Sequence, residues 1–435
     1  MARRGATFTQ ERLLARGGEA PAEVLLRIRA AADHDLRFEA TGRRTGVLHI
    51  SGDGRSARLE TTLDRKGRPG EIERIEILGP DDRPLALGKR LEADVGRFLR
   101  ALDRAKEALV EGDLDGALHR LTGLHGEASL RLAGSGGGDR MLGGAGDDAI
   151  RAKGGDDAVL GSAGRDRIDG GEGRDALDYA PVTVRARQEG VKADLAKETA
   201  LVLGARQSIA RFEDLGGTGG RDLLRGDEGA NLIAGRGGDD RLDGRGGDDL
   251  LYGGDGDDAV LGGSGDDALD GGRGDDALTG GSGEDRMLGG EGDDRLTGES
   301  GDDTLDGGAG RDTLSGGSGA DRVLGGEGDD LALGGSGDDA VEGGAGDDTL
   351  DGGAGFDLLA GGSGADEFRL DAAEGADTIA DFAPGEDRIR AGAPFETLVV
   401  SDGAAGAEIR DAEGRLLATV LGVEAAALAE ADTFL

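Results

Sequence analysis

The sequence predicts a mainly β fold: a parallel β-solenoid of short repeated coils, preceded by a small α+β domain and closed by a β-rich C-terminal cap. Three observations lead there. A nine-residue pattern holds phase without a gap from Gly217 to Arg369, 17 units, and from Gly134 to Asp178, 5 units. Each unit carries a glycine-rich stretch that can turn and one large apolar residue that can sit in a minimal strand. Before residue 134 and after residue 369 the composition becomes that of ordinary folded segments, with larger apolar residues and familiar spacing.

The 435 residues include 89 Gly, 90 acidic residues and no Cys or Trp, aromatics make up 3%, and the net charge is −39. A chain so acidic and so poor in aromatics would stay disordered without a special source of order. The charge is uneven. Residues 1–133 hold 24 Lys and Arg against 22 Asp and Glu, and the remainder 27 against 68. All the excess acidity therefore follows residue 133, which argues against nucleic acid as a partner and favours a bound cation.

The pattern is G-G-x-G-x-D-x-U-x, with U a large apolar residue, as in GGSGDDALD at 262–270. The fourth position is Gly in all 22 units; the sixth is Asp in all but Asn231. The eighth is large and apolar in all but Ala332, and the first is Gly in all but Ala152. Glycine at the first and fourth positions is expected to permit positive φ in a tight turn whose carbonyls point inward. The three residues x-U-x are expected to form the strand, so two units make one 18-residue coil. Stacked coils about 4.8 Å apart bring the Asp of units n and n+2 together.

Carboxylates at that spacing repel unless a cation lies between them. Calcium takes six to eight oxygens and accepts carboxylates and carbonyls together, whereas magnesium keeps its waters. Zinc and copper want the Cys and His that this chain lacks or has in only four copies. Calcium, in many copies, is the cofactor the residues predict.

These residues resemble the RTX, or haemolysin-type, calcium-binding repeat proteins, and the resemblance covers about residues 134–435. It implies a calcium-bound parallel β-roll, with ions held by the sixth-position Asp and by carbonyls of the glycine turn. In residues 134–178, the first roll block, the implied ligands are Asp139, Asp148, Asp157, Asp166 and Asp175. In residues 217–369, the second block, they are Asp222, Asp240, Asp249, Asp258, Asp267, Asp276, Asp285 and Asp294. The same block continues with Asp303, Asp312, Asp321, Asp330, Asp339, Asp348, Asp357 and Asp366. The turn glycines are represented by Gly256, Gly265, Gly274, Gly283 and Gly292. Asn231 lacks the charge, and Ala152-Lys153 is expected to spoil a turn.

Residues 179–216 resemble linker units that accompany such repeats, through Val191-Asp194-Leu195 and Phe212-Glu213-Asp214-Leu215-Gly216; a strand-rich bridge continuing the solenoid is expected. Residues 370–435 form the expected cap. Asp377, Thr378, Ile379, Asp381, Phe382, Gly385, Asp387 and Ile389 match the element that closes many such rolls. Phe368, Ile379, Phe382, Ile389 and Phe395 supply the apolar mass that an open solenoid end needs. The final Asp432-Thr433-Phe434-Leu435 resembles the uncleaved signal of type I secretion.

In residues 1–133, alternation predicts strands at Asp35–Ala40, Gly46–Ser51, Ala57–Leu63 and Glu71–Leu78. Leu91, Val95, Phe98, Leu99, Leu102, Ala105 and Leu109 predict a helix ending near Gly112, and 113–121 a second. The four His are His34, His49, His119 and His125, with no H-E-x-x-H, and the region has no G-x-S-x-G and no P-loop Lys. His125 with Glu127 is read as ordinary surface.

The expected protein is thus a secreted, extracellular or surface-associated calcium-binding RTX protein, non-catalytic and structural, adhesive or partner-binding. It lacks the apolar core of a cleaved signal peptide and any membrane span. Calcium ions, the type I secretion machinery and an extracellular or cell-surface partner are its expected partners. The alternatives are a hydrolase with its site in residues 1–133, and a membrane-active toxin.

Overall fold

The computed structural model describes the backbone of six strands between residues 28 and 87, and residues 131–435 apart from 144–145, 185–187, 371–374, 393–396, 429–432 and 435. The helices expected over 91–121 lie outside the described residues, as do His34, His119, His125, Phe395, Asp432 and Leu435.

The N-terminal strands form an antiparallel meander in chain order. Asp35–Ala40, Thr45–Gly52, Arg55–Leu63 and Pro69–Leu78 occupy the places that alternation predicts. Two edge strands, Ile28–Arg29 and Pro84–Leu87, are too short to show a period and were not legible in the sequence.

Two compact units are described separately: Met1–Val182 with Lys197–Asp214, and Thr183–Ala196 with Leu215–Leu435. In the first, Arg140–Leu142, Ala158–Leu160 and Ala176–Asp178 pair in parallel at an 18-residue period. Arg131–Ala133, Ala149–Gly154 and Arg167–Glu172 make the matching ladder. Ala205–Ala210 adds to it in parallel and turns back as an antiparallel hairpin with Thr199–Val202.

In the second unit the same alternation runs without interruption. Odd and even nonapeptides feed two parallel ladders, in which Leu269 pairs with Leu251 and Met287, and Leu278 with Val260 and Leu296. Glu189–Asp194 lies parallel to Arg221–Arg225 at one end. At the other, Arg388–Ala391 extends one ladder. Asp377–Ile379 and Leu416–Leu421 extend the second, which then continues antiparallel through Gly406–Arg410 and Val399–Asp402. Main-chain pairing of Ile389 with Thr433 and Phe434 ties the chain end to this cap.

The eighth-position side chains form the core. Every one of them is buried, from Met141 to Phe368, and Ala332 is as enclosed as its larger counterparts. Phe368 meets Phe382 with ring centroids 5.9 Å apart, closing the stack with aromatic mass.

Three expectations need correction. From Leu232–Gly237 to Leu358–Ser363 the strands are six residues long, joining positions seven to nine of one unit to positions one to three of the next, as in Ala268–Arg273, whereas Arg140–Leu142, Ala158–Leu160 and Ala176–Asp178 keep the expected three residues. The turn is therefore only positions four to six. Positive φ falls at the second and fourth positions, for example Gly263 and Gly265, both at 121°, and not at the first. The first glycine is needed for space instead: a methyl on Gly262 would lie 2.4 Å from Asp267 Oδ2 and 2.7 Å from the Gly280 carbonyl oxygen. Nor does Ala152-Lys153 break its coil, because Ala152 is fully buried and Lys153 adopts φ 87°.

Candidate metal centres

Each sixth-position Asp stands at the junction of turn and strand, where the chain bends into the stack. Its two oxygens do different things. Oδ1 accepts the main-chain N–H of the sixth residue one coil earlier: Asp249 N–H to Asp267 at 2.8 Å, Asp267 N–H to Asp285 at 2.8 Å, Asp276 N–H to Asp294 at 2.8 Å. Oδ2 is buried and receives no hydrogen bond in sixteen of these aspartates: Asp157 and Asp175 in the first unit, and fourteen from Asp240 to Asp357 in the second. A buried carboxylate oxygen with no donor is costly. A row of sixteen at one repeat position is not an accident of packing.

Burial pushes these carboxyls upward. Asp258, Asp267, Asp285 and Asp294 rise to about 6, Asp249, Asp276 and Asp330 to about 7, and Asp240 to about 8. In each case burial is the leading cause, opposed by the N–H donated from the coil before and reinforced by neighbouring carboxylates.

Main-chain oxygens line the same turns. A methyl on Gly274 would sit 2.3 Å from the Gly256 carbonyl oxygen, and one on Gly283 or Gly292 would sit 2.0 Å from that of Gly265 or Gly274. These carbonyls point along the stack, and only glycine lets the next coil come so close.

Not every predicted ligand has an open oxygen. Asp139 Oδ2 accepts Ser135 N–H at 2.6 Å and its hydroxyl at 3.1 Å. Asp222 accepts Thr218 N–H at 2.6 Å and, through Oδ1, the N–H of Val191. Asn231 Oδ1 accepts Asp227 N–H at 2.8 Å. Asp166 Oδ2 is held by the Gln207 amide, whose Nε2 also donates to the carbonyls of Ser162 and Gly164, at 2.7, 2.8 and 3.2 Å. Asp148 and Asp366 are buried in the same row. The cap aspartates prolong the row: Asp377 accepts Asp357 N–H, and Asp387 accepts Asp366 N–H at 3.1 Å and Ala383 N–H at 2.7 Å. Asp381 binds the N–H groups of Gly361 and Gly362 at 2.9 and 3.0 Å.

The fifth position also has a role, one not legible in the repeat pattern. There a second ladder runs on the exposed side and reaches the other way: Asp248 accepts Asp266 N–H, Asp257 accepts Asp275 N–H, and Asp266 accepts Glu284 N–H at 2.9 Å. The signal was the pairing of carboxylates in DD units; it was obscured by Arg, Ala and Phe at the same position elsewhere, which supply only the N–H.

Among the described residues no group of three or more His, Cys, Asp or Glu side chains is placed to hold a metal. Among these residues side chains alone therefore build no centre. A hard cation taking one carboxylate oxygen per unit and completing its shell with main-chain carbonyls fits the donor-less Oδ2 row. Asp166 shows how such a turn is satisfied, since the Gln207 amide lies within reach of a carboxylate and two carbonyl oxygens at once. Among the described residues no helix is long and apolar enough to cross a membrane.

Known proteins carry the same pattern. The RTX calcium-binding nonapeptide repeat matches this chain over 131–159 and 152–180, and in eight overlapping windows between 216 and 379. Among solved structures, the AlgE6R3 subunit of the mannuronan C5-epimerase from Azotobacter vinelandii is 33% identical over 31% of this chain and 77% of that one, with a TM-score of 0.20. No curated protein matches the chain. With the period, the buried aspartate row and the matched repeats in agreement, the chain belongs to the RTX calcium-binding nonapeptide-repeat family.

Proposed function

We propose that this protein is secreted, that its repeats fold on binding calcium outside the cell, and that the folded roll serves a structural, adhesive or partner-binding role without catalysis. Each ion would be held by sixth-position carboxylate oxygens of successive coils on one ladder, such as those of Asp258 and Asp276, with carbonyls of the glycine turns. Calcium supplies the positive charge that buried carboxylates need; the chain supplies their alignment, one coil above the next. The observation that carries this reading is the row of sixteen buried, donor-less Oδ2 atoms. Export by type I machinery accords with a chain that stays unfolded where calcium is scarce and folds where it is plentiful. The absence from the sequence of zinc-protease, lipase and P-loop motifs supports a non-catalytic role.

The test is far-UV circular dichroism of the full chain from no calcium to about 10 mM, with magnesium as control. A cooperative gain of β signal in calcium alone is expected. An unchanged spectrum would overturn calcium-driven folding.

A further inference from the structure

We propose that the second residue of each nonapeptide decides whether its unit takes an ion, and that the four units with Ser135, Ser162, Thr218 or Asp227 at that position are closed by protein donors and fold without calcium. The inference rests on the reading that the remaining units do take calcium. Two classes of unit are visible. In one, the second residue has positive φ and its N–H makes no hydrogen bond to the sixth-position Oδ2. Lys153, Gly171, Arg236 and Arg245, at φ 87°, 125°, 85° and 78°, precede Asp157, Asp175, Asp240 and Asp249, and all four leave Oδ2 buried without a donor. Lys and Arg at this conformation show that the backbone, and not glycine as such, defines the class.

Ser, Thr and Asp offer short polar side chains that bond to nearby main chain: Gly220 N–H donates to the Thr218 hydroxyl, Gly229 N–H to Asp227 Oδ1, and the Ser135 hydroxyl to the Gly137 carbonyl. None of the four has positive φ. Ser135 and Thr218 give both N–H and hydroxyl to the aspartate four residues on. Ser162 gives its hydroxyl to Asp166 at 3.2 Å, and Asp227 gives its N–H to Asn231.

Further donors complete the replacement within each unit of the fold. In the first, Gln207 Nε2 touches oxygens from the second, fourth and sixth positions of one turn, and Tyr179 donates its hydroxyl to Gln207 Oε1 at 2.9 Å, which orients the amide. Both side chains are buried. In the second, the Arg236 guanidinium donates to the Gly217 carbonyl at 2.8 Å. Arg245 donates to the Gly226 carbonyl and to Asp194 at 2.9 Å. The first two nonapeptides of the second block are thus closed by Thr218, Val191, Asn231 and two arginines. They form a metal-free edge on which calcium-dependent coils can stack.

The experiment is hydrogen exchange of the full chain, read by mass spectrometry, in EDTA and in calcium. In EDTA, residues 161–169 and 217–234 are expected to exchange at least about tenfold more slowly than 250–350; in calcium all three are protected. Gln207→Glu, which replaces the donating amide with a carboxylate, should make protection of 161–169 depend on calcium. Thr218→Gly should do the same for 217–225 and add to the calcium bound. Equal, fast exchange of all three segments in EDTA, with protection restored by calcium, would overturn this inference and leave calcium-driven folding standing. Protection of 250–350 without calcium would overturn both. Should Gln207→Glu fail to fold in calcium, Thr218→Gly decides alone.

Discussion

An aspartate at the sixth position performs two tasks with two oxygens. Oδ1 ties one coil to the coil before, and Oδ2 waits in a dry place for a charge. Asp267→Ala removes both, so it should raise the calcium midpoint of folding and flatten the titration, because neighbouring coils share what each site holds together. A titration indistinguishable from that of the parent would contradict the assignment. The raised carboxyls give a second expectation. An unfolded aspartate titrates near 3.9, whereas Asp276 in the roll is pushed up to about 7 and Asp267 to about 6. Between these values the metal-free fold binds more protons than the unfolded chain, so its stability falls as pH rises. Calcium must displace those protons and therefore binds better as pH rises. In EDTA, β signal should increase on lowering the pH from about 8 to about 5, while the calcium midpoint moves to higher concentration. Circular dichroism at the two pH values checks both signs.

Each repeated strand owes its length to what the first-position glycine permits. Because Gly262 has no side chain to strike Asp267 Oδ2, the strand runs straight through it to Ser264. The ladder then needs an end, and Asp377 and Asp387 provide it by accepting N–H groups that a further coil would otherwise take. Asp387→Ala leaves the N–H groups of Asp366 and Ala383 without their acceptor, a loss of about 1–3 kcal/mol. It should fray the last coil first, seen as faster hydrogen exchange at 358–370 with 280–340 unaffected. The cap motif was legible as a resemblance. That its aspartates continue the repeat's own hydrogen-bond row was not, because their spacings of 20 and 21 residues break the 18-residue period.

At the scale of the molecule the governing fact is a net charge of −39, with the excess confined to the residues after 133. Part of the resistance to folding is general repulsion, which salt screens within about 10 Å at 0.1 M. Part is the local deficit at each Oδ2, which salt cannot repair because it brings no directional ligand. Sodium chloride at about 1 M should therefore leave the calcium-free spectrum short of the calcium-bound one. A full β spectrum in salt alone would show that repulsion was the whole obstacle.

The sequence by itself determined the period, the two stacked ladders, the buried eighth position and the cation chemistry, because each depends on residue type at a fixed spacing. It placed the N-terminal strands too, whose alternation is local. Only the tertiary structure decided which carboxylates are open. Asp166 and Asp267 occupy the same place in the repeat, yet Oδ2 of the first is satisfied by Gln207, 41 residues further along the chain, and Oδ2 of the second receives no hydrogen bond. The difference arises from backbone conformation at the second position and from donors brought in by the intervening segment. Neither is a property of the nine residues alone.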